Sequence, residues 1–265
     1  MREATPTLTQ QEFLAKEKQH KTQVRIIRVF LFVLFLAVWE LCARLEIIDA
    51  FIFGSPSRIG ACFIRMTADG SIFLHIGVTL YETVVSFFLV VTIAVAVAVG
   101  LWASRTASEV LEPYLVMLNS LPKSALAPLL IVWLGNNMKT VIVAAVSVAV
   151  FGSILTLHTG FVQTNPDKIK LIYSLGGSKK DVLTKVLIPG SIPLIISNMK
   201  VNVGLCLVGV IIGEFLSAKA GLGYLIIYAS QVFKMDMLVM AIVILCIVST
   251  LLYQGIAVLE KKITG

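Results

Sequence analysis

The sequence predicts an all-α integral membrane protein of about six transmembrane helices. Apolar residues make up 58% of the chain and charged residues 14%, against roughly 45–50% and 25% in soluble globular domains. The surplus lies in long runs: Val84 to Ser104, Thr140 to Val162, Val201 to Gly213 and Met237 to Leu259 hold no Lys, Arg, Asp or Glu. About 20 apolar residues cross a bilayer. Basic residues gather between alternate runs, as a multi-pass topology requires.

The elements follow in order. Residues 1–24 form a polar tail of mixed charge, too short to fold alone, whose second half is expected to be a helix on the inner membrane surface. The membrane domain then fills 25–265. Its first span, Val29 to Ala43, is broken only by Glu40, which stands four residues before Arg44 and can pair with it. No small-residue cleavage site follows this run, so it reads as a retained anchor. Asp49 to Gly77 is the longest outer connector, expected to rest Phe51, Ile52, Phe53, Ile72 and Phe73 on the interface. Val84 to Ser104 is the second span.

The third span, Leu111 to Leu134, is interrupted by Pro122, Lys123 and Pro128. Prolines free backbone groups, which membrane helices tolerate where those groups line a cavity or are covered by protein. Lys123 is costly in lipid and should face the bundle interior, a partner acid or water. Asn119, one turn earlier, is expected on the same face. In the fifth span Asn198 and Asn202 stand four apart, either as hydrogen-bonding glue between helices or as substrate contacts, while Lys200 points elsewhere. Glu214 ends that span, where with Lys219 near it fits equally an interfacial residue at a helix end, and Gly221 and Gly223 follow.

Between the fourth and fifth spans, within 163–189, lies a charged island, Lys170 to Pro189. Ser178 reads as an N-cap with Asp181 three residues on, a capping box with Asp in place of Glu. Spacing alone fits either an ordinary solvated loop or two short helices joined at a glycine and lying flat on the membrane, with Gly176 making the turn or, alternatively, Gly177 turning while Gly176 packs. Pro189 can open the next helix without losing a bond its first turn would need.

With the N-terminus inside, Arg2, Lys16, Lys18, Lys21, Arg25, Arg28, Arg105, Lys168, Lys170, Lys179, Lys180, Lys185, Lys261 and Lys262 fall on the cytosolic side. Both termini are therefore expected there. This bias and anionic lipid account for the net charge of +7, so no nucleic-acid partner is needed. The four cysteines lack metal or redox spacing, the three histidines are scattered, and no catalytic constellation emerges. No phosphate-binding loop is present. If the protein works on ATP, ATP and Mg sit on another chain.

Gly176, nine residues, then Val186-Leu187-Ile188-Pro189 resembles the cytosolic motif of permease subunits of binding-protein-dependent ABC importers. Lys170-Leu171-Ile172 replace the usual Glu-Ala-Ala. The stretches Glu112 to Gly135, Gly213 to Ile226 and Phe53 to Ile59 are similar to the nitrate, sulfonate and taurine branch of that family. The resemblance implies a type I importer permease architecture in the inner membrane, with a cytosolic coupling helix docked on ATPase subunits. It implies Gly176 and Gly177 at the corner and Ser178, Lys179, Asp181 and Val182 facing the ATPase groove. It further implies a re-entrant outer segment that closes the path, with Glu214 as a buried structural or gating acid and Pro122, Pro128, Pro189, Gly221 and Gly223 as gate or structural residues. Asn119, Lys123, Asn198 and Asn202 are the pathway candidates. A solute-binding protein, membrane lipid and a second permease copy, as a homodimer, are the remaining expected partners. An ion-coupled secondary transporter is the alternative, but the first three spans of this chain do not match the last three as the inverted repeat of such carriers requires.

Overall fold

The computed structural model describes residues 8–264. Arg2 and the rest of the first seven residues lie outside that range, and Lys262 is described by its backbone alone. Among the described residues twelve α-helices form from the apolar runs and the turns between them. Helix α1 spans Leu8–Arg44, α2 Ala50–Phe53, α3 Pro56–Ala68, α4 Ser71–Ala103, α5 Arg105–Ser120, α6 Lys123–Leu134 and α7 Met138–Val162. Helices α8 Pro166–Ser174 and α9 Lys179–Val182 lead through a π turn, Leu183–Leu187, into α10, Ile188–Ser217. Helices α11, Leu222–Gln231, and α12, Met235–Thr264, complete the chain.

Helices α4, α7 and α10 make the core. Phe87, Val90, Ala94, Ala149, Ile154, Leu157, Phe161 and Cys206 are buried together among them. The α7–α10 crossing is close because α10 carries glycine at the contact. A Cβ on Gly209 would lie 2.6 Å from the Cα of Ala145, and one on Gly213 2.9 Å from that of Val141. Lipid gives helices no hydrophobic reason to associate, so close backbone approach supplies the attraction. A second apolar cluster joins α3, the start of α4, α11 and α12 through Ile72, Leu222, Leu225, Met240 and Ile244.

Among the described residues five helices are long and apolar enough to cross a membrane, or six if α5 and α6 form one span bent by 102°. The third span is thus two helices, because Leu121 and Pro122 take extended backbone between them. That break overturns the shared face expected of Asn119 and Lys123: helical spacing does not carry across it. The tail helix and the first span are one element, since α1 runs unbroken through Gln23. It lies on the outside of the bundle, with Phe30, Phe32 and Phe35 exposed, and Glu40 pairs with Arg44 at 2.8 Å. The outer connector is helical as well. Ser55 caps α3 ahead of Pro56, and Ile72, expected on the interface, is fully buried.

Candidate functional site

The charged island folds into an elbow. Helix α8 ends at Ser174, and Gly176 turns the chain at φ +76° with open space around its Cα. Gly177 packs instead: a Cβ there would meet the Ile172 side chain at 2.5 Å and its carbonyl at 2.8 Å. Of the two arrangements open from sequence, Gly176 makes the corner, because only glycine takes a positive φ without strain. The capping box forms, with the Ser178 N–H donating to Asp181 Oδ2 at 2.9 Å and the Asp181 N–H to Ser178 Oγ at 3.3 Å. Asp181 also holds Lys185 at 2.7 Å.

One of the expected groove-facing residues turns inward, and an exposed one reaches the bundle. Val182 is fully buried, a correction that follows from its place on the inner side of α9. Lys179 reaches back to the Ala103 carbonyl at the end of α4 and stands 5.6 Å from the Trp102 ring centroid. The elbow is therefore tied to the α4–α5 corner. Its free apolar surface lies elsewhere, on Leu171, Tyr173 and Leu175, which are 58%, 48% and 76% exposed. Pattern reading passed over these three because apolar residues in a short polar segment carry no periodic signal.

Pro189 stands in the first turn of α10, as expected. It sits directly after the π turn, whose wider ring runs from the Ile188 N–H to the Leu183 carbonyl. A proline ring clashes with the carbonyl one turn back, and the widened turn relieves that clash.

At the broken span, Lys123 starts α6 and donates to the Leu118 carbonyl across the break. Its ammonium stands 5.3 Å from the Phe151 ring centroid on α7. Asn119 lies against Gly152 of the same helix, where an added Cβ would be 3.1 Å from its Oδ1. The two residues share a neighbouring helix, though not a helix face. Pro122 precedes α6 and Pro128 lies inside it.

Asn198 and Asn202 are buried between α10 and α7. Ser153 Oγ donates to Asn198 Oδ1 at 2.5 Å, and Asn202 Nδ2 lies 2.8 Å from Ser153 Oγ and 2.6 Å from Asn198 Oδ1. This closed triad is interhelical hydrogen bonding, the first of the two readings open from sequence. Lys200 points away from it and pairs with Glu260 of α12.

Glu214, in the last turn of α10, is 1% exposed. Thr79 Oγ1 donates to its Oε1 at 2.6 Å, and the Gly223 N–H to its Oε2 at 2.5 Å. The Leu222 N–H donates to Thr79 Oγ1 at 2.8 Å, and the Gly221 N–H to His75 Nδ1 at 3.1 Å. Both glycines make room for the carboxyl. A Cβ on Gly221, whose φ is +116°, would run into it, and one on Gly223 would lie 2.8 Å from Oε2. Glu82 of α4, also 1% exposed, stands within hydrogen-bond reach of Glu214. Sequence reading missed Glu82, one turn past Thr79 but 132 residues from its partner.

Known proteins match this architecture. Residues 90–265 match the family model described as the binding-protein-dependent transport system inner membrane component. The chain is 30% identical to a probable ABC transporter permease protein of Haemophilus influenzae, over 88% of this chain and 95% of that one. It is 23% identical to the taurine transport system permease protein TauC of Escherichia coli, covering 86% and 85% of the two chains. It is also 23% identical to the putative aliphatic sulfonates transport permease protein SsuC of Bacillus subtilis, covering 86% and 83%. In fold it resembles a chain of the MetNI methionine ABC transporter, solved in inward-facing conformations, with TM-score 0.66, 17% identity and coverage of 73% and 98%. The spans, the elbow and these matches agree: the chain belongs to the family of binding-protein-dependent transport system inner membrane components, as an ABC importer permease of the branch that holds the taurine and aliphatic sulfonate permeases.

Proposed function

We propose that the chain forms the translocation path of an ATP-driven importer for a small anion of the sulfonate, taurine or nitrate kind, handed over by an extracytoplasmic solute-binding protein. ATP and Mg belong on separate cytosolic ATPase subunits, and a second copy of the chain completes the path as a homodimer. Both termini are cytosolic, residues 1–24 form the tail, and the segment 163–189 couples the ATPase to the spans. The observation that carries this reading is the elbow. Leu171, Tyr173 and Leu175 present apolar surface, while the residues that fix its angle are satisfied among themselves. An apolar knuckle on a stiff corner suits the pocket of a motor subunit. The Lys179 contact to the Ala103 carbonyl gives motion of the elbow a route into α4. Lys123 and Asn119 at the broken span are assigned to the pathway, since a cation between freed backbone groups suits an anion. The ion-coupled carrier draws no support from the family match.

The test is co-purification of the tagged full chain from its native membrane. An ATPase subunit is expected with the wild type and is lost from Leu175→Glu and Gly176→Pro; recovery of an ATPase-free dimer from the wild type overturns the reading. Lys123→Ala is expected to abolish anion uptake while leaving the complex assembled. Unchanged uptake in that variant overturns the anion class.

A further inference from the structure

The buried carboxyl pair has no role in the transport reading beyond structure. Glu82 and Glu214 lie within hydrogen-bond reach of each other, each 1% exposed. Two carboxyl oxygens attract only when a proton lies between them; as two anions they repel, most strongly where water is excluded. Thr79 cannot supply that proton, because its one hydroxyl hydrogen goes to Glu214 Oε1 and its oxygen accepts from Leu222. Among the described residues no cation forms an ion pair with either carboxyl. Lys219 lines the same small cavity as Glu82 without forming an ion pair with it. His75 is engaged at the Gly221 backbone. Tyr224 of α11 stacks on His75, α7 presents Val141 to Gly213, and α3 and α12 meet α11 through an apolar cluster containing Cys62, Leu222 and Met240. Glu82 Oε2 is buried with no hydrogen-bond partner, as fits a carboxyl whose other oxygen carries the shared contact.

We propose that Glu82 and Glu214 bind one proton between them, and that this proton fastens the 218–231 segment onto α4 and α10. The fastening is geometric. Glu214 accepts from Gly223 of that segment, and the carboxyl fills the space that Gly221 and Gly223 leave. When the segment lifts, water reaches both carboxyls and the proton leaves to solvent; no other bond forms or breaks. The closed arrangement thus holds more protons than the open one, so by linkage closure weakens as pH rises. This rests on the permease reading only for its consequence, that opening of this end of the path releases a proton.

The test uses the full chain in lipid nanodiscs. Infrared spectra should show the carbonyl stretch of a protonated carboxyl at neutral pH, lost in Glu82→Gln, whose amide supplies the missing donor. Hydrogen exchange of the 222–231 backbone N–H groups should quicken by about tenfold or more beyond intrinsic exchange as that stretch titrates away with rising pH, the equivalent of one pK unit of linkage. Glu82→Gln should hold those amides protected throughout. If Glu82→Gln does not fold, the wild-type titration decides alone. Absence of the stretch in the wild type, its survival in folded Glu82→Gln, exchange indifferent to pH, or protection that follows sodium at fixed pH each overturns the proposal. None of these readouts needs transport, so their failure leaves the permease reading intact.

Discussion

The elbow at Gly176 and the socket at Glu214 are both built by a pair of glycines, yet the glycines act in different ways. At the elbow Gly176 provides a conformation and Gly177 a close approach to Ile172; Ser178 and Asp181 cap their own helix, and Lys179 reaches the end of α4. At the socket Gly221 and Gly223 both provide room, and the group that fills it is a carboxyl bound from α4 and α11 at once. A corner that is mostly satisfied within itself can change with less disturbance to the bundle. A socket that three elements share cannot.

The sharpest break of that contrast is Gly221→Ala. The new Cβ would occupy the Glu214 carboxyl position at a φ that alanine resists. We expect a loss of about 3 kcal/mol and a large drop in the heating midpoint followed by size-exclusion, from overpacking with backbone strain. A variant as stable as the wild type would show that the socket adapts. Gly177→Ala comes next, at about 2 kcal/mol for overpacking against Ile172. Because the elbow meets α4 at its end and Ile172 and Gly177 lie outside the α4–α7–α10 packing, the loss should appear as faster proteolysis near 170–185 with the bundle's heating midpoint little moved. A coincident fall in both would mean that the elbow and the core melt together.

How far each region could be read beforehand follows the same divide. The spans were legible because an uncharged run of sufficient length has one destination, and the capping box because Ser178 and Asp181 are three residues apart. What depends on distant partners was not. Glu82 and Glu214 meet only because α4 and α10 run antiparallel with their ends in register, which no local pattern records. Val182 was misassigned because four helical residues before a π turn do not reveal which side faces inward. The 102° bend at Pro122 follows from two extended residues where proline alone signals only a kink.

The Asn198–Asn202–Ser153 triad lies between the two extremes, buried like the socket but free of charge. Asn202→Ala should cost about 1 kcal/mol, the usual worth of a hydrogen bond between membrane helices. The heating midpoint measures it, and a Ser153→Ala, Asn202→Ala double variant should lose less than the two singles added, since they share a bond. Strict additivity would mean that the triad does not act as one unit.

The smallest effect belongs to Gly176, and it separates conformation from contact most cleanly. Open space surrounds its Cα, so a substituted side chain meets nothing and only the positive φ resists. Gly176→Ala should therefore cost the elbow about 1 kcal/mol, whereas asparagine, which visits this backbone region more readily, should cost only a few tenths. ATPase recovery from membranes should rank in the same order: wild type, Gly176→Asn, Gly176→Ala. If asparagine were as damaging as alanine, the glycine would be needed because a partner touches its bare backbone, and the corner would belong to the interface itself.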